Sequence, residues 1–258
     1  MHRTDDDTDG VSKAAKSIWR RLRRVLPRDG PGRLHPRDAY RLWAETYDSE
    51  DNVLVAIEEG IFNKLLAQSL LEQRVVLDIG CGTGRHWRDL LARKPRDLHG
   101  VDSSPEMLAR LRARFPDAQL HLRSRTTIDM CDGSVDIIVS TLMMAHVREI
   151  KDELSEWVRL LNAKGEVILT DFHPEALRAG MRTTFAHRGA TFEIKNHPRS
   201  VLSLHTLFQK LRLDVLAREE GSLDVNVRDT YERHGRMDIY RKHFGIPMII
   251  AFRLRKAE

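Results

Sequence analysis

The stretch VVLDIGCGTGRHW, residues 75–87, decides the fold of this chain. An apolar run, typical of a buried strand, ends at the acidic Asp78 and is followed by a glycine-rich loop. The residues of that loop are Gly80, Cys81, Gly82, Thr83 and Gly84. Glycine lacks Cβ, so the backbone can approach a ligand closely, but a tight turn without a ligand would use glycine as well. The surrounding sequence has to distinguish these two interpretations.

Strands and helices alternate after this loop. The predicted strands are RVVLDI (74–79), DLHGVD (97–102), QLHLR (119–123), VDIIVS (135–140) and EVILTD (166–171). The predicted helices are GRHWRDLLAR (84–93), SPEMLARLRARF (104–115) and IKDELSEWVRLLN (150–162). This alternation predicts βαβ units and a parallel sheet with helices on both faces.

Two further regions flank the alternating part. Before it, RDAYRLWAETYD (37–48) and NVLVAIEEGIFNKLLAQSLL (52–71) predict helices. After it, a hairpin insertion at about 181–196 is predicted with its turn at Arg188 and Gly189, because this pair suits a tight two-residue turn. After the hairpin we predict a helix over VLSLHTLFQKLRL (201–213) and a last strand over PMIIAFRLRK (247–256).

Composition indicates an ordinary globular protein. The chain has 258 residues, of which 41% are hydrophobic and 31% charged, and this length allows one domain with appendages. No apolar run approaches the roughly 20 residues of a membrane span. The N-terminus has no apolar segment of the secretory type. Cys81 and Cys131 have neither metal-ligand nor disulfide spacing, so we expect a cytoplasmic protein without a metal site. The oligomeric state stays open.

The positive charge is concentrated at the N-terminus. The net charge is +5, yet residues 1–28 alone carry eight Lys/Arg and four Asp. The remainder therefore has a charge of only +1, which argues against nucleic acid as a partner of the main domain. We predict disorder over 1–10, a basic amphipathic helix over 11–28, a linker over 27–36, and a boundary between an extension (1–37) and a domain (38–258). The helix has three interpretations: a peripheral membrane contact, a nucleic-acid arm, or a solvated helix.

The glycine loop does not match a phosphate-binding motif. A dinucleotide fingerprint would need glycine at position 85, which is Arg85, and no Walker Gly-Lys-Ser/Thr is present. Asp78 would repel a phosphate and attract an ammonium group. Asp102 ends the second strand, where a carboxylate can accept hydrogen bonds from ribose hydroxyls. The site could thus bind a ribose and an amino-acid ammonium group but not a phosphate. S-adenosylmethionine has the first two groups and lacks the third.

The motifs in their order resemble those of class I S-adenosylmethionine-dependent methyltransferases, especially the subgroup with the ubiquinone and menaquinone biosynthesis enzymes. The segments that carry the resemblance are AYRLWAETYD, VVLDIGCGTGRH, GVDSSPEML, CDGSVDIIVS and LLNAKGEVILTDFHP, within about residues 38–175. The resemblance implies a Rossmann-like α/β fold whose seven-stranded, mostly parallel sheet has its last strand antiparallel.

The resemblance also implies a cofactor site. Asp78 would help to hold the ammonium group of the cofactor, and the glycines would line its methionine end. Asp102 would bind the ribose hydroxyls, and Tyr47 would close over the cofactor. Ser124 stands where many relatives have Asp, and its hydroxyl would bond adenine more weakly. The predicted cofactor residues are Tyr47, Asp78, Gly80, Cys81, Gly82, Thr83, Gly84, Asp102, Ser103, Met107, Ser124, Arg125 and Thr126.

His146 and His173 are the candidate general bases, because both follow strands at the predicted mouth of the site. Each could equally hold a loop or turn. The substrate face is predicted from 38–65, 141–150 and 181–196. No Asp/Asn-Pro-Pro-Tyr/Phe motif follows the fourth strand and no Pro-Cys is present, so elimination favours a small-molecule acceptor. A methyltransferase of RNA or protein and a non-catalytic cofactor-binding protein are the alternatives, and Arg85 makes an NAD-dependent oxidoreductase the weakest of them.

Overall fold

A computed structural model describes residues 32–257 of the chain. The strands are β1 (Gly32–Leu34), β2 (Val75–Ile79), β3 (Asp97–Asp102), β4 (Gln119–Leu122), β5 (Val135–Thr141), β6 (Leu161–Phe172), β7 (Thr184–His187), β8 (Ala190–Ile194), β9 (Leu213–Ser222) and β10 (Pro247–Lys256). The helices are α1 (Pro36–Trp43), α2 (Val53–Leu66), α3 (Trp87–Ala92), α4 (Pro105–Arg114), α5 (Ile150–Leu160), α6 (Pro174–Arg178), α7 (Val201–Lys210), α8 (Arg228–Arg233) and α9 (Met237–His243). Short 3-10 turns span Tyr47–Ser49, Met144–His146 and Val225–Val227.

Seven strands form the central sheet in the order β4-β3-β2-β5-β6-β10-β9. The β2, β3, β4, β5 and β6 pairings are parallel, and β10 runs antiparallel to both β6 and β9. This architecture confirms the predicted Rossmann-like fold. The sequence analysis assigned no element to β9, because its residues Leu213–Ser222 are mostly exposed at the sheet edge and lack the apolar continuity of a central strand.

The central strands are apolar throughout because both faces of the sheet are covered. Leu77 and Ile138 belong to an apolar cluster on one face, with Trp157 and Phe252. Their neighbours Val76 and Ile137 point the other way, into a second cluster with Trp87, Leu90 and Phe62. Successive side chains of a strand point to opposite faces of the sheet. Because both faces are covered here, both sets of side chains are apolar and the polar/apolar alternation of a half-exposed strand is absent.

A second, three-stranded sheet lies apart from the central one, in the order β1-β8-β7. β7 and β8 form the predicted hairpin, and Arg188 and Gly189 both have positive φ (49° and 77°), as a type I′ turn requires. The linker prediction is wrong for residues 32–34, which form β1 and pair in parallel with β8. Leu34 explains this pairing, because its side chain is buried in a small cluster with Trp43 and Phe192.

We call this unit the lid: the small sheet (residues 32–34 and 184–194) with α1 packed against β7 and β8. The predicted disordered segment and basic helix, residues 1–28, lie outside the described residues. Within residues 32–257, none of the helices combines the length and apolar character needed to cross a membrane.

Candidate active site

The main cavity opens at the carboxyl ends of β2, β3 and β5, where the strand order changes direction. Open α/β sheets bind ligands at such a switch point. The cavity has a volume of about 440 Å³, within the range of small-molecule sites. The predicted residues that line it are Tyr47, Gly80, Gly82, Asp102, Ser103, Met107, Ser124, Arg125, Thr126 and His146. We call it the cofactor cavity.

The glycine loop forms one wall of the cofactor cavity. Gly80, Gly82 and Gly84 have φ values of 77°, 53° and 76°, a left-handed region that strongly favours glycine. A Cβ on Gly80 would lie 2.6 Å from Cγ of Met143. The helix expected from Gly84 begins only at Trp87, because the positive φ of Gly84 is incompatible with a helical turn. The expected helix N-terminus is thus displaced from the loop.

Asp102 joins the glycine loop to the next turn. Its carboxylate accepts hydrogen bonds from the N–H groups of Gly82 (2.9 Å) and Ser104 (2.8 Å). Burial raises the pKa of Asp102, and these backbone hydrogen bonds oppose the rise. A carboxylate has about four acceptor positions, so its oxygens keep capacity for ribose hydroxyls.

The residue that caps α4 is not the one that faces the cofactor cavity. Ser104, rather than Ser103, is the N-cap, and its hydroxyl accepts from the Met107 N–H at 3.3 Å. Ser103 is therefore not engaged as the cap and lines the cofactor cavity beside Met107.

Four predicted residues lie behind the cavity wall: Asp78, Cys81, Thr83 and Gly84 do not line it. Asp78 is 4% exposed, and its Oδ2 accepts a hydrogen bond from the indole N–H of Trp87 at 2.9 Å. Burial raises the pKa of Asp78 to about 7, despite this hydrogen bond. Thr83 donates its hydroxyl hydrogen to Asp48 at 2.6 Å, which holds the segment that carries Tyr47 against the glycine loop.

The opposite end of the cofactor cavity is shaped by Arg123. Its guanidinium donates to the carbonyl groups of Arg125 and Thr126, both at 2.6 Å, and to both oxygens of Glu153 at 2.8 and 2.6 Å. These contacts fix the Ser124–Thr126 segment that was predicted to contact adenine. Arg123 and Glu153 line the cavity as well. The sequence analysis missed both, although Arg123 directly follows a strand end.

A buried polar network supports the loop from below. Glu58 of α2 is fully buried and accepts hydrogen bonds from Arg85, from Thr170 at 2.7 Å, and from His86 at 3.2 Å when the His86 Nε2 carries hydrogen. Burial alone would raise the pKa of Glu58, but His86 and the charge of Arg85 lower it to about 2. The sequence analysis missed this carboxylate, because in the predicted helix it resembles an exposed acidic residue.

His146 faces the cofactor cavity together with Tyr40, which the sequence analysis did not single out. The Tyr40 hydroxyl lies 2.9 Å from Nε2 of His146, and Nδ1 lies 3.4 Å from the Lys195 carbonyl. A carbonyl can only accept, so Nδ1 carries the hydrogen and Nε2 accepts from Tyr40. Burial lowers the pKa of His146 to about 4, and the imidazole is therefore neutral at pH 7.

His173 is not brought to the cofactor cavity. It caps α6, with Nδ1 accepting a hydrogen bond from the Glu175 N–H at 3.1 Å. Its Nε2 lies 3.6 Å from a carboxylate oxygen of Glu220. The structure thus agrees with the alternative interpretation of His173 as the residue that holds the turn after β6.

Comparisons with known proteins agree with this geometry. Residues 76–165 match the family described as "Methyltransferase domain". The malonyl-[acyl-carrier protein] O-methyltransferase of Halorhodospira halophila is 30% identical over 158 residues, 55% of this chain and 49% of that protein. The ubiquinone/menaquinone biosynthesis C-methyltransferase of Campylobacter jejuni is 24% identical over 140 residues, 50% of this chain and 60% of that protein. The solved S-adenosylmethionine-dependent methyltransferase of Mesorhizobium loti superimposes with a TM-score of 0.60 at 17% identity, over 77% of this chain and 97% of that one.

The strand order, the glycine loop and Asp102 define a Rossmann-like domain for a ribose-containing cofactor. Residues 76–165 match a methyltransferase domain, and the fold around them is shared with solved S-adenosylmethionine-dependent methyltransferases. The chain spans about half the length of the curated relatives it matches, so the match concerns the cofactor domain rather than the acceptor.

Proposed function

We propose that the protein transfers the methyl group of S-adenosylmethionine to a small-molecule acceptor. The observation that carries this proposal is the cofactor cavity itself. It joins the glycine loop and Asp102 to the aromatic side chains of Tyr40 and Tyr47 within one space of about 440 Å³. The same cavity therefore offers one end for the nucleoside of the cofactor, at Asp102, and another for the acceptor, beside Tyr40 and Tyr47.

The residues present fit the cofactor. Asp102 offers acceptor positions to the ribose hydroxyls, and Ser124–Thr126 lie at the predicted adenine end. Gly80 and Gly82 present bare backbone where the methionine end would lie. Asp78, just behind the loop, is the predicted partner of the ammonium group. When bound, the sulfonium supplies an already activated methyl group.

The protein's own contribution is mainly alignment. In-line displacement needs the acceptor atom to be held on the axis of the breaking bond, and the lid supplies part of the cavity wall through Pro36, Arg37 and Tyr40. Tyr47, in the turn after α1, lines the cavity beside Tyr40, and the Tyr40 hydroxyl is hydrogen-bonded to Nε2 of His146. For a hydroxyl acceptor, the Tyr40 oxygen takes the acceptor proton while its own proton passes to Nε2 of His146.

The volume of the cofactor cavity, about 440 Å³, suits a small acceptor beside the cofactor. α1 contributes Pro36, Arg37 and Tyr40 to the cavity wall and packs against the hairpin β7–β8 through an apolar cluster that includes Trp43, Phe185 and Phe192. Of the two relatives compared above, the C-methyltransferase is named for quinone biosynthesis, which supports a small acceptor, whereas the O-methyltransferase is named for an acceptor attached to a carrier protein.

A second candidate is methylation of an acidic macromolecule. A separate cavity of about 340 Å³ behind the lid is lined by five basic residues, Arg33, Arg178, Arg182, Lys195 and Arg199, and by a single carboxylate, Glu193. Such a surface attracts phosphate groups. Reversal of its charge, with Lys195→Glu and Arg182→Glu, would abolish methylation of a polymer and leave that of a small molecule unchanged.

The proposal is tested with methyl-labelled S-adenosylmethionine and a cell extract. The purified full-length protein is incubated with both, and the label is measured in organic-soluble, small aqueous and macromolecular fractions. Label in either small-molecule fraction supports the proposal, and label confined to the macromolecular fraction supports the second candidate. Tight cofactor binding without any labelled product would favour a non-catalytic protein. The variant Asp102→Ala, deficient in cofactor binding, is the control for background labelling.

A further inference from the structure

The segment that follows β8, residues 195–199, leads from the lid to α7, and we call it the connector. At its first residue, the Lys195 N–H donates to the Leu34 carbonyl of β1 at 3.0 Å. Directly after its last residue, Ser200 caps α7, and the Ser200 hydroxyl accepts from the Ser203 N–H at 3.1 Å. The connector is therefore fixed at both ends, to the lid and to a helix of the main domain.

Arg199 joins the connector to the loop after β5. Its guanidinium donates to the carbonyl groups of Met144 at 3.3 Å, of Arg148 at 2.8 Å, and of Val147. A fourth hydrogen bond, to the His197 carbonyl at 2.9 Å, fixes the guanidinium to its own segment. Hydrogen bonds from a charged donor are stronger than those between neutral groups. One side chain thus holds the loop on both sides of the candidate base.

The backbone of the connector contacts the same loop. The His197 N–H donates to the Ala145 carbonyl at 2.7 Å. The Lys195 carbonyl lies 3.4 Å from Nδ1 of His146, and this contact assigns the hydrogen of the ring to Nδ1. The distance exceeds the usual limit of about 3.2 Å for an N–H···O hydrogen bond, so a small displacement would remove the contact. The tautomer of His146 therefore depends on the position of the connector.

A change of tautomer would interrupt the proton path of the proposed function. Nε2 of His146 lies 2.9 Å from the Tyr40 hydroxyl and accepts its hydrogen only while Nε2 itself is unprotonated. The hydrogen bond at one ring nitrogen sets the protonation of the other. If the Lys195 carbonyl moved away, both tautomers of His146 would be populated, and Tyr40 could not pass its proton to the one with hydrogen on Nε2.

We propose, on the basis of the proposed function, that Arg199 is a positioning residue for His146. Arg199 does not line the cofactor cavity, so it acts through the backbone of the loop rather than on the reacting groups. By holding the loop against the connector, it keeps the Lys195 carbonyl beside Nδ1 and leaves Nε2 open to Tyr40.

The ¹⁵N resonances of the His146 ring report its tautomer. Full-length protein labelled with ¹⁵N-histidine would be measured at pH 7, and the spectrum of His146→Gln would identify the two resonances. We expect a protonated Nδ1 and an unprotonated Nε2 in the wild type. In Arg199→Met, both resonances should move toward the averaged positions of two exchanging tautomers. Arg148→Met is the matched control, because the Arg148 side chain belongs to the same loop but is 81% exposed, and it should give the wild-type spectrum.

A conservative variant covers the case in which Arg199→Met does not fold. Arg199→Lys keeps the positive charge but donates from a single nitrogen, so it should hold the loop less well and shift the His146 resonances by a smaller amount. A cooperative thermal transition verifies that each variant is folded. Wild-type resonances in folded Arg199→Met, or in Arg199→Lys where the former does not fold, would mean that Arg199 only stabilises the fold, and the proposal would be wrong.

Kinetics test the same role through the reaction. For a hydroxyl acceptor, Arg199→Met should lower kcat about 10- to 100-fold, as expected for a misplaced base, with unchanged affinity for S-adenosylmethionine. In the His146→Gln background the same substitution should cost less than about twofold, because its effect passes through His146. An equal loss of kcat in both backgrounds would contradict the positioning role.

The proposed function and the positioning role can fail separately. If S-adenosylhomocysteine does not bind to the wild type in calorimetry, the proposed function fails, whereas the histidine spectra of the free protein still test whether Arg199 holds His146. If it binds and the His146 resonances do not respond to Arg199→Met, only the positioning role is rejected.

Discussion

The hydroxyl oxygen of Tyr40 lies 2.9 Å from Nε2 of His146, so α1 and the loop after β5 meet in a hydrogen bond on the wall of the cofactor cavity. The Lys195 carbonyl beside Nδ1 fixes the tautomer that leaves Nε2 free to accept. The lid thus contributes a side chain to the reacting end of the cavity.

Removal of this hydrogen bond should impair catalysis rather than cofactor binding. For a hydroxyl acceptor, Tyr40→Phe and His146→Gln should each lower kcat about 100-fold, the usual contribution of a general base. The double variant should lose little more, because both residues serve one proton path. Steady-state rates and S-adenosylmethionine titrations check this. A weakened cofactor affinity with unchanged kcat would contradict the role.

Replacement of Asp102 should weaken the cofactor. Asp102→Asn removes the negative charge that accepts from Gly82 and Ser104 and faces the ribose position. We expect the Kd for S-adenosylmethionine to rise about 10- to 100-fold, the worth of one hydrogen bond to a charged group. Asp97→Asn, at the exposed start of the same strand, is the matched control. Calorimetric titration of both variants decides the outcome.

A side-chain methyl group on Gly80 should distort the glycine loop and weaken cofactor binding. Gly80→Ala would place Cβ 2.6 Å from Met143 at a φ of 77°, so we expect at least about a tenfold loss of cofactor affinity. Gly235→Ala has a similar φ of 63° but no atom within 4 Å of the new Cβ. Gly235→Ala should therefore lower stability without changing cofactor affinity. If both variants lost cofactor affinity equally, the clash with Met143 would not be the cause.

Cofactor affinity should depend on pH through Asp78. Its pKa of about 7 means that the carboxyl is largely protonated at pH 6 and ionised at pH 8. If the ionised form holds the ammonium group, the Kd for S-adenosylmethionine should fall about five- to tenfold across this interval. Asp78→Asn should abolish the dependence, whereas Asp171→Asn, whose carboxyl also has a pKa of about 7, should retain it.

Glu58 should stabilise the fold above acidic pH. Its folded pKa of about 2 lies below the ordinary 4.5, so its contribution is complete above pH 4.5 and disappears as the pH falls toward 2. The difference corresponds to about 3 kcal/mol of unfolding free energy. Glu58→Gln should lose about that amount at pH 7, roughly half of it near pH 3, and approach the wild type only near pH 2. Glu59→Gln, an exposed neighbour, should change little in urea denaturation at either pH.

Residues that follow strand ends were accessible to sequence reasoning. Gly80, Asp102 and Ser124 could be predicted because parallel strands direct their carboxyl ends to one edge, and the structure places all three around one cavity. His146 and His173 had equivalent signals after β5 and β6, yet only His146 reaches the cavity. The difference is local, because the His173 ring is bound to the first turn of α6.

Residues whose role depends on tertiary contacts could not be predicted. Glu58 reads as a surface acid until α2 packs against the loop and places it beside Arg85. Tyr40 is one aromatic residue among several in its helix, and only the position of the lid selects it. Gly32–Leu34 has the composition of a linker, and its strand exists because β8 offers a free edge.

The pairing of Gly32 with Phe192 has a consequence for how the site exchanges its contents. β1 has only three residues, so its pairing with β8 forms few hydrogen bonds. The same pairing closes a long segment of chain, and the entropic cost of that closure opposes it. The lid also has its own small apolar cluster, separate from those of the central sheet. Amide hydrogens of β1 and β8 should therefore exchange with deuterated solvent well before those of β2 and β5. The lid would detach while the nucleoside pocket stays folded, which gives acceptor and product a way in and out.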